Sequence, residues 1–210
     1  MTTGRLEAFS DGVLAIIITI MVLELKVPEG HTLSALRHTT GTSLLTYLLS
    51  FIYIGIYWNN HHHMFHVVDE VRGGVLWANL ALLFCLSLFP FTTAWLDETH
   101  LAQTPVVVYG IDLLAAAVAY FVLQSVVIRV QGPHSALRGA VGRDLKGKLS
   151  PILYLCGIAS ALAFGGDRWG VWLALGFFVV VALMWLVPDR RIDRHLRQAV
   201  PGRPGRESAG

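Results

Sequence analysis

The segment RLEAFSDGVLAIIITIMVL, residues 5–23, decides the fold of this chain. Charged residues open it, and from Gly12 to Leu23 every residue except Thr19 is apolar or glycine. With the residues beside it, this run approaches the roughly 20 residues that a helix needs to cross a bilayer. Arg5 is the single basic residue before it, and no small-residue cleavage site follows. We therefore interpret it as a retained first membrane span and not as a signal peptide.

Five further apolar stretches repeat this pattern along the 210-residue chain. Hydrophobic residues make up 54% of the sequence and charged residues 14%, a balance that excludes an ordinary soluble domain. We predict an all-α integral membrane protein, with a six-helix transmembrane unit over residues 1–188 and a basic tail over residues 189–210. The expected spans are Phe9–Leu25, Ser43–Phe65, Val75–Leu96, Pro105–Ile128, Pro151–Phe164 and Trp169–Val187.

Prolines and polar residues refine the ends of these helices. Pro105 and Pro151 are each expected in a first helical turn, because their missing N–H costs nothing there. Pro90 falls inside the third span and predicts a kink. Ser10 and Asp11 are good N-caps, so we expect the first helix to begin beside them.

The basic residues predict the orientation in the membrane. With the N-terminus placed inside, 13 of the 16 Lys and Arg residues lie in inside segments, and only Lys26, Arg37 and Arg168 lie outside. Such a bias predicts that both termini are cytoplasmic, and it requires an even number of spans.

The charges at the start of the first span need partners, because unpaired charge is expensive where a helix enters lipid. The second span ends in WNNHHHMFH, residues 58–66, at the same expected depth. We expect Arg5 and Asp11 to form a polar network with one of the three consecutive histidines, residues 61–63.

Other functions for these histidines stay open at this point. His62 and His66 lie four residues apart and share a helix face that could bind zinc, although no carboxylate or thiolate is spaced to complete a tetrahedral set. A membrane enzyme would need a nucleophile paired with a histidine, and the sequence offers no such Ser or Cys.

The first span also carries an aliphatic stripe. Ile16, Ile20 and Leu23 fall on one side of a helix, with Thr19 beside them. Such a stripe can face lipid, pack against a neighbour or line a pore, and periodicity alone does not distinguish the three.

The string Arg5-x-x-x-Phe9-Ser10-Asp11-Gly12, followed by this isoleucine-rich span, resembles the signature of the transmembrane protein 175 family. These proteins are the endolysosomal potassium channels and their bacterial relatives. The stretch Tyr57-Trp58-x-x-His61-His62 in the second span is also similar to the family. The resemblance covers the whole chain as one six-helix repeat, as in the bacterial form, whereas animal members carry two repeats.

This resemblance implies a potassium-selective leak channel in the bacterial plasma membrane, with K⁺ as the permeant ion and some proton leak. It implies a homotetramer whose pore lies on the symmetry axis, lined by the first helix, with no carbonyl filter, cofactor, bound metal, nucleic-acid partner or enzymatic activity. The matching filter positions are Ile16, Thr19, Ile20 and Leu23. The matching network, which would hold the first helix against the second, comprises Arg5, Phe9, Ser10, Asp11, Gly12, His61 and His62. A proton-coupled secondary transporter is the alternative.

Asp112 lies in the fourth span, outside this signature. Acids inside a membrane span are functional candidates by default. A structural hydrogen bond is the favoured role, and a local vestibule charge is the alternative.

Overall fold

A computed structural model describes residues 2–66, 68, 71–132, 137, 145–164 and 168–186 of the chain. The expected basic tail over residues 189–210 lies outside these described residues. The long regular elements in the described part are seven α-helices. They are α1 Thr3–Leu23, α2 Leu33–His66, α3 Gly73–Ser87, α4 Phe89–Glu98, α5 Gln103–Gln131, α6 Leu145–Ala163 and α7 Arg168–Leu186.

These helices form six spans, because α3 and α4 together make one broken span, Gly73–Glu98. Five of the six are long and apolar enough to cross a membrane. The other, α6, carries Lys146 and Lys148 in its first turn, and these charges reduce its mean hydropathy. The predicted all-α, six-helix membrane fold is confirmed.

The break in the third span confirms the kink expected at Pro90. The α3 helix ends at Ser87, and α4 begins at Phe89 with Pro90 in its first turn. Proline has no N–H to continue the hydrogen-bond ladder, and its ring crowds the preceding turn.

Two expected helix starts are wrong. Pro151 lies inside α6 and not in its first turn, because that helix begins at Leu145, six residues before the proline. Ser10 and Asp11 are likewise inside α1, which begins at Thr3. The buried Ser10 hydroxyl donates to the carbonyl of Leu6 at 2.9 Å, so it serves the helix interior and not its end.

The centre of the bundle is aromatic. The Tyr53 hydroxyl donates to the backbone carbonyl of Phe178 at 2.6 Å, which ties α2 to α7. A side-chain carbon at Gly110 or Gly157 would lie 2.6 or 2.7 Å from the Phe178 ring, so only glycine admits this ring between α5 and α6. Five rings contact one another in tilted or edge-to-face arrangements, namely those of Tyr53, Phe89, Tyr109, Tyr154 and Phe178.

The α5 helix is the hub of the bundle, since it packs against α3, α4, α6 and α7. In contrast, α1 lies at one edge, where it packs against α2, α3 and α4. One side of α1 is therefore covered by its own subunit, and the opposite side is open.

Candidate functional site

The α1 helix has two unlike faces. Its covered face repeats at helical spacing and consists of Leu6, Ser10, Leu14, Ile17 and Met21, all buried. Its open face carries all four residues of the expected filter. Ile16 is 59% exposed, Ile20 42% and Leu23 80%, and Thr19 is exposed as well. The fold thus places the whole aliphatic stripe on the side of α1 that its own subunit leaves uncovered.

A buried hydrogen-bond chain holds the covered face of α1. His61 on α2 lies 2.8 Å from the side-chain oxygen of Asn79 on α3, measured from its Nε2. The Asn79 amide nitrogen in turn donates to the Ser10 hydroxyl at 3.0 Å. Because Ser10 donates to the Leu6 carbonyl and the Asn79 oxygen can only accept, His61 must donate through Nε2. One directional chain therefore joins three helices.

The charges near the start of α1 make separate contacts. Trp58 on α2 donates its indole N–H to the Asp11 carboxylate at 3.0 Å. His62 Nδ1 lies 3.7 Å from Glu7 Oε1, an ion pair when the histidine is protonated. Within the described residues, the Arg5 side chain forms no hydrogen bond or ion pair with Asp11 or with a histidine. The structure thus brings His61 to Ser10 through Asn79, and Asp11 to Trp58.

The other signature residues have simpler positions. Phe9 is 53% exposed on the open side of α1. Gly12 is exposed, and nothing lies within 4 Å of the position that a side-chain carbon would occupy there. Both residues therefore belong to surface that a second copy of the chain could cover.

Thr19 presents an oxygen rather than a donor to the open face. Its hydroxyl donates to the backbone carbonyl of Ile16 at 2.9 Å. The hydroxyl proton is therefore engaged within α1, and the oxygen lone pairs stay free to accept a bond or to face a cation. No other hydroxyl or charged group lies on the stripe between Ile16 and Leu23.

Asn79 and Trp58 were absent from the predicted network, although both contact signature residues. Asn79 carries a usable signal, because it is a lone amide within the apolar third span, and polar groups there need partners. Trp58 belongs to the family-like stretch of residues 57–62, but a tryptophan there is also typical of a membrane interface, so the sequence did not predict its hydrogen bond to Asp11.

Fold and site together define a multi-pass helical membrane protein whose first helix is anchored on one face and open on the other. The model of the family described as "Endosomal/lysosomal potassium channel TMEM175" matches residues 5–90. A potassium channel of Chryseobacterium sp. is 52% identical over 198 residues, covering 94% of this chain and 100% of that relative. The chain belongs to the TMEM175 family, whose members are ion channels and not enzymes.

Solved and animal relatives agree with this assignment. The crystal structure of a lysosomal potassium-selective channel TMEM175 homolog from Chamaesiphon minutus superposes with a TM-score of 0.68 at 30% identity, covering 90% of this chain and 97% of that one. The human endosomal/lysosomal proton channel TMEM175 is 35% identical over 96 residues, which cover 40% of this chain and 19% of that protein. The match thus spans a small part of the longer animal protein.

Proposed function

We propose that this potassium channel conducts as a homotetramer, through a pore on the symmetry axis lined by four copies of α1. The observation that carries the proposal is the open face of α1, where the whole stripe Ile16, Thr19, Ile20 and Leu23 is uncovered in the single subunit. Cyclic symmetry would bring the four open faces together around one axis. Lipid would suit the aliphatic residues of this face equally well, and the match of residues 5–90 to a potassium-channel family favours the pore.

Ile16 forms the narrowest collar of this pore. It lies five residues past Asp11, about 7.5 Å along the helix axis, so it is well inside the membrane. Four isoleucine side chains make a dry constriction, and such constrictions gate ions by dewetting. An ion must shed water to pass. Potassium holds its water less tightly than sodium, so the collar favours potassium.

Thr19 supplies the polar layer next to this collar. Its hydroxyl proton is engaged by the Ile16 carbonyl, so its oxygen is oriented to accept and can replace part of the lost hydration of a cation. Ile20 and Leu23 continue the aliphatic lining toward the end of α1. Anchoring by Ser10, Asn79 and His61 fixes the rotation of α1, and with it the direction in which the filter residues point.

The channel lies in the bacterial plasma membrane with both termini in the cytoplasm. The distribution of Lys and Arg supports this orientation, because 13 of the 16 fall on the same side as the N-terminus. Proton passage belongs to the same proposal and is supported by the animal relatives, which are named proton channels.

Cysteine cross-linking tests the pore assignment in the full chain. In a background with Cys85 and Cys156 replaced by alanine, Leu23→Cys should form disulfide-linked subunits on mild oxidation, because four copies meet near the axis. Leu173→Cys is the matched control, since Leu173 is also an exposed leucine (50%) but belongs to α7. If both variants cross-linked equally, or if only Leu173→Cys cross-linked, α1 would not lie at the symmetry axis.

Flux measurements separate the channel from a proton-coupled transporter. Purified protein in liposomes should pass potassium down its gradient without any proton gradient, at a rate that scales with membrane potential. Potassium movement that requires an opposing proton gradient would favour the transporter, and absence of potassium flux would contradict the proposal.

A further inference from the structure

Asp112 is a carboxyl group buried inside the subunit, away from the open face of α1. It is 5% exposed and lies nine residues into α5, about 14 Å along the axis of a helix that crosses the membrane. Its Oδ1 is shielded from solvent and has no hydrogen-bond partner among the described residues. An unpaired carboxylate at such a depth is costly, so this group needs a proton or a cation.

The residues around Asp112 offer no positive charge. No Lys, Arg or His in the described part of the chain forms an ion pair with it. The titratable groups that interact with it are Tyr57 on α2, Cys85 on α3 and Tyr109 on α5, none of them basic. The basic residues of α6 and α7, namely Lys146, Lys148 and Arg168, lie in the first turns of those helices.

The Thr92 hydroxyl on α4 is placed to donate a hydrogen bond to this acid or to accept one from it. Its hydroxyl oxygen lies 3.0 Å from Asp112 Oδ2, 3.2 Å from the Leu88 carbonyl and 3.3 Å from the Phe89 carbonyl. With a neutral acid, Asp112 donates its O–H to Thr92, and Thr92 donates to Leu88. With a charged acid, Thr92 turns to donate to Asp112, and Oδ1 stays bare. Only when Asp112 is neutral do the Asp112 and Thr92 hydroxyl protons both form hydrogen bonds with no charge left buried.

We propose that Asp112 and Thr92 form a proton-binding site in the interior of each subunit, separate from the ion pathway along α1. The ligand is a single proton, held as the neutral carboxylic acid of Asp112 with Thr92 as its acceptor. Burial without a cationic partner, together with a neighbouring hydroxyl that can both accept and donate, carries this proposal independently of the tetrameric pore.

A row of hydroxyls connects the neighbourhood of this site to one end of the bundle. Ser50 lies 2.7 Å from the Thr93 hydroxyl and 3.0 Å from that of Tyr109, measured between oxygens. Tyr109 is one helical turn from Asp112 on α5, and Thr93 lines a crevice that also contains Asp97. Within the described residues no hydrogen bond joins this row to Asp112 or Thr92, so the row lies beside the acid without forming part of its site.

Infrared spectroscopy of the full chain in lipid vesicles at neutral pH tests the site. The wild-type protein should show the C=O stretch of a carboxylic acid that Asp112→Asn lacks, with the loss of one such group per subunit. Asp97→Asn, the matched control on α4, should leave that band in place. A band that persists unchanged in Asp112→Asn, or a wild-type protein without it, would mean that Asp112 is charged and would overturn the proposal.

A further variant tests the partner of the acid. Thr92→Val should shift the Asp112 band to higher frequency, because the acid loses its acceptor; an unshifted band would remove Thr92 from the site. Potassium flux recorded from the same vesicles tests the pore separately, since its failure would leave the band untouched.

Discussion

The two faces of α1 use the same helix for opposite purposes. The covered face is held by two buried hydrogen bonds that run from His61 through Asn79 to Ser10. The open face is aliphatic, exposed in the subunit and, apart from Thr19, without hydrogen-bonding side chains between Ile16 and Leu23. The contrast teaches that anchoring and conduction are carried by different residues only a few positions apart. Substitutions on the two faces should therefore have separable effects on stability and on selectivity.

Breaking the covered face should give the largest effect. Asn79→Leu removes the link between His61 and Ser10 and leaves the buried Nε2–H of His61 without a partner, while Ser10 keeps its bond to the Leu6 carbonyl. We expect the free energy of unfolding to fall by about 2 kcal/mol. The measurement is reversible unfolding in detergent or lipid.

Asn59→Leu is the control for this variant, because Asn59 is an exposed amide on α2. It should change stability by less than about 0.5 kcal/mol. Asn79→Leu as stable as Asn59→Leu would show that the buried chain does not anchor α1.

Breaking the open face should change selectivity without changing stability. Ile16→Asn hydrates the collar and lowers the dehydration penalty that separates the two ions. We expect the preference for potassium over sodium to fall about tenfold, equivalent to about 1.4 kcal/mol. Bi-ionic flux in liposomes measures it.

Ile16→Leu keeps the collar apolar and should retain the preference. A selectivity of Ile16→Asn equal to that of Ile16→Leu would place the filter elsewhere on α1, at Thr19 or Leu23.

A finer change on the open face concerns the polar layer. Thr19→Val keeps the shape of the side chain but removes the oxygen that faces the pore. We expect the potassium preference to fall about threefold, or about 0.7 kcal/mol. Thr46→Val on α2 is the matched control, since its buried hydroxyl also bonds its own helix but lies away from the pore. A loss of selectivity in Thr46→Val as large as in Thr19→Val would contradict a direct role for Thr19.

The smallest effect is expected at the exposed rim between the two faces. Trp58→Phe removes the hydrogen bond to Asp11, which lies at the surface, and should cost about 0.5 kcal/mol of stability. Trp77→Phe controls for the lost ring size, because Trp77 is an exposed tryptophan on α3. If Trp58→Phe lowered the free energy of unfolding by more than about 2 kcal/mol relative to Trp77→Phe, the contact with Asp11 would be a principal anchor of α1. Anchoring would then not be confined to the covered face.

Much of the fold was predictable because hydropathy and charge are properties of segments. The six spans and the break at Pro90 follow from local composition and from the missing proline N–H. The helix ends were less predictable. Neither the extension of α1 back to Thr3 nor that of α6 back to Leu145 has a local signal strong enough to outweigh the caps at Ser10 and Asp11 or the proline at 151.

The candidate site was predictable in its membership but not in its pairing. The signature marked Ser10, Asp11 and His61 without showing that Asn79 stands between Ser10 and His61. Pairing depends on the rotation of each helix about its axis, and that rotation is set by the packing of all its neighbours together.

The sequence by itself determined that this chain is a membrane protein of six spans and, through residues 5–12, which family it resembles. Only the tertiary structure decided which side of α1 is covered, which histidine reaches it, and that Asp112 is buried beside Thr92. The physical reason is one of range. Hydrophobicity acts residue by residue, whereas burial and hydrogen bonding between helices depend on groups far apart in the chain that meet only after folding.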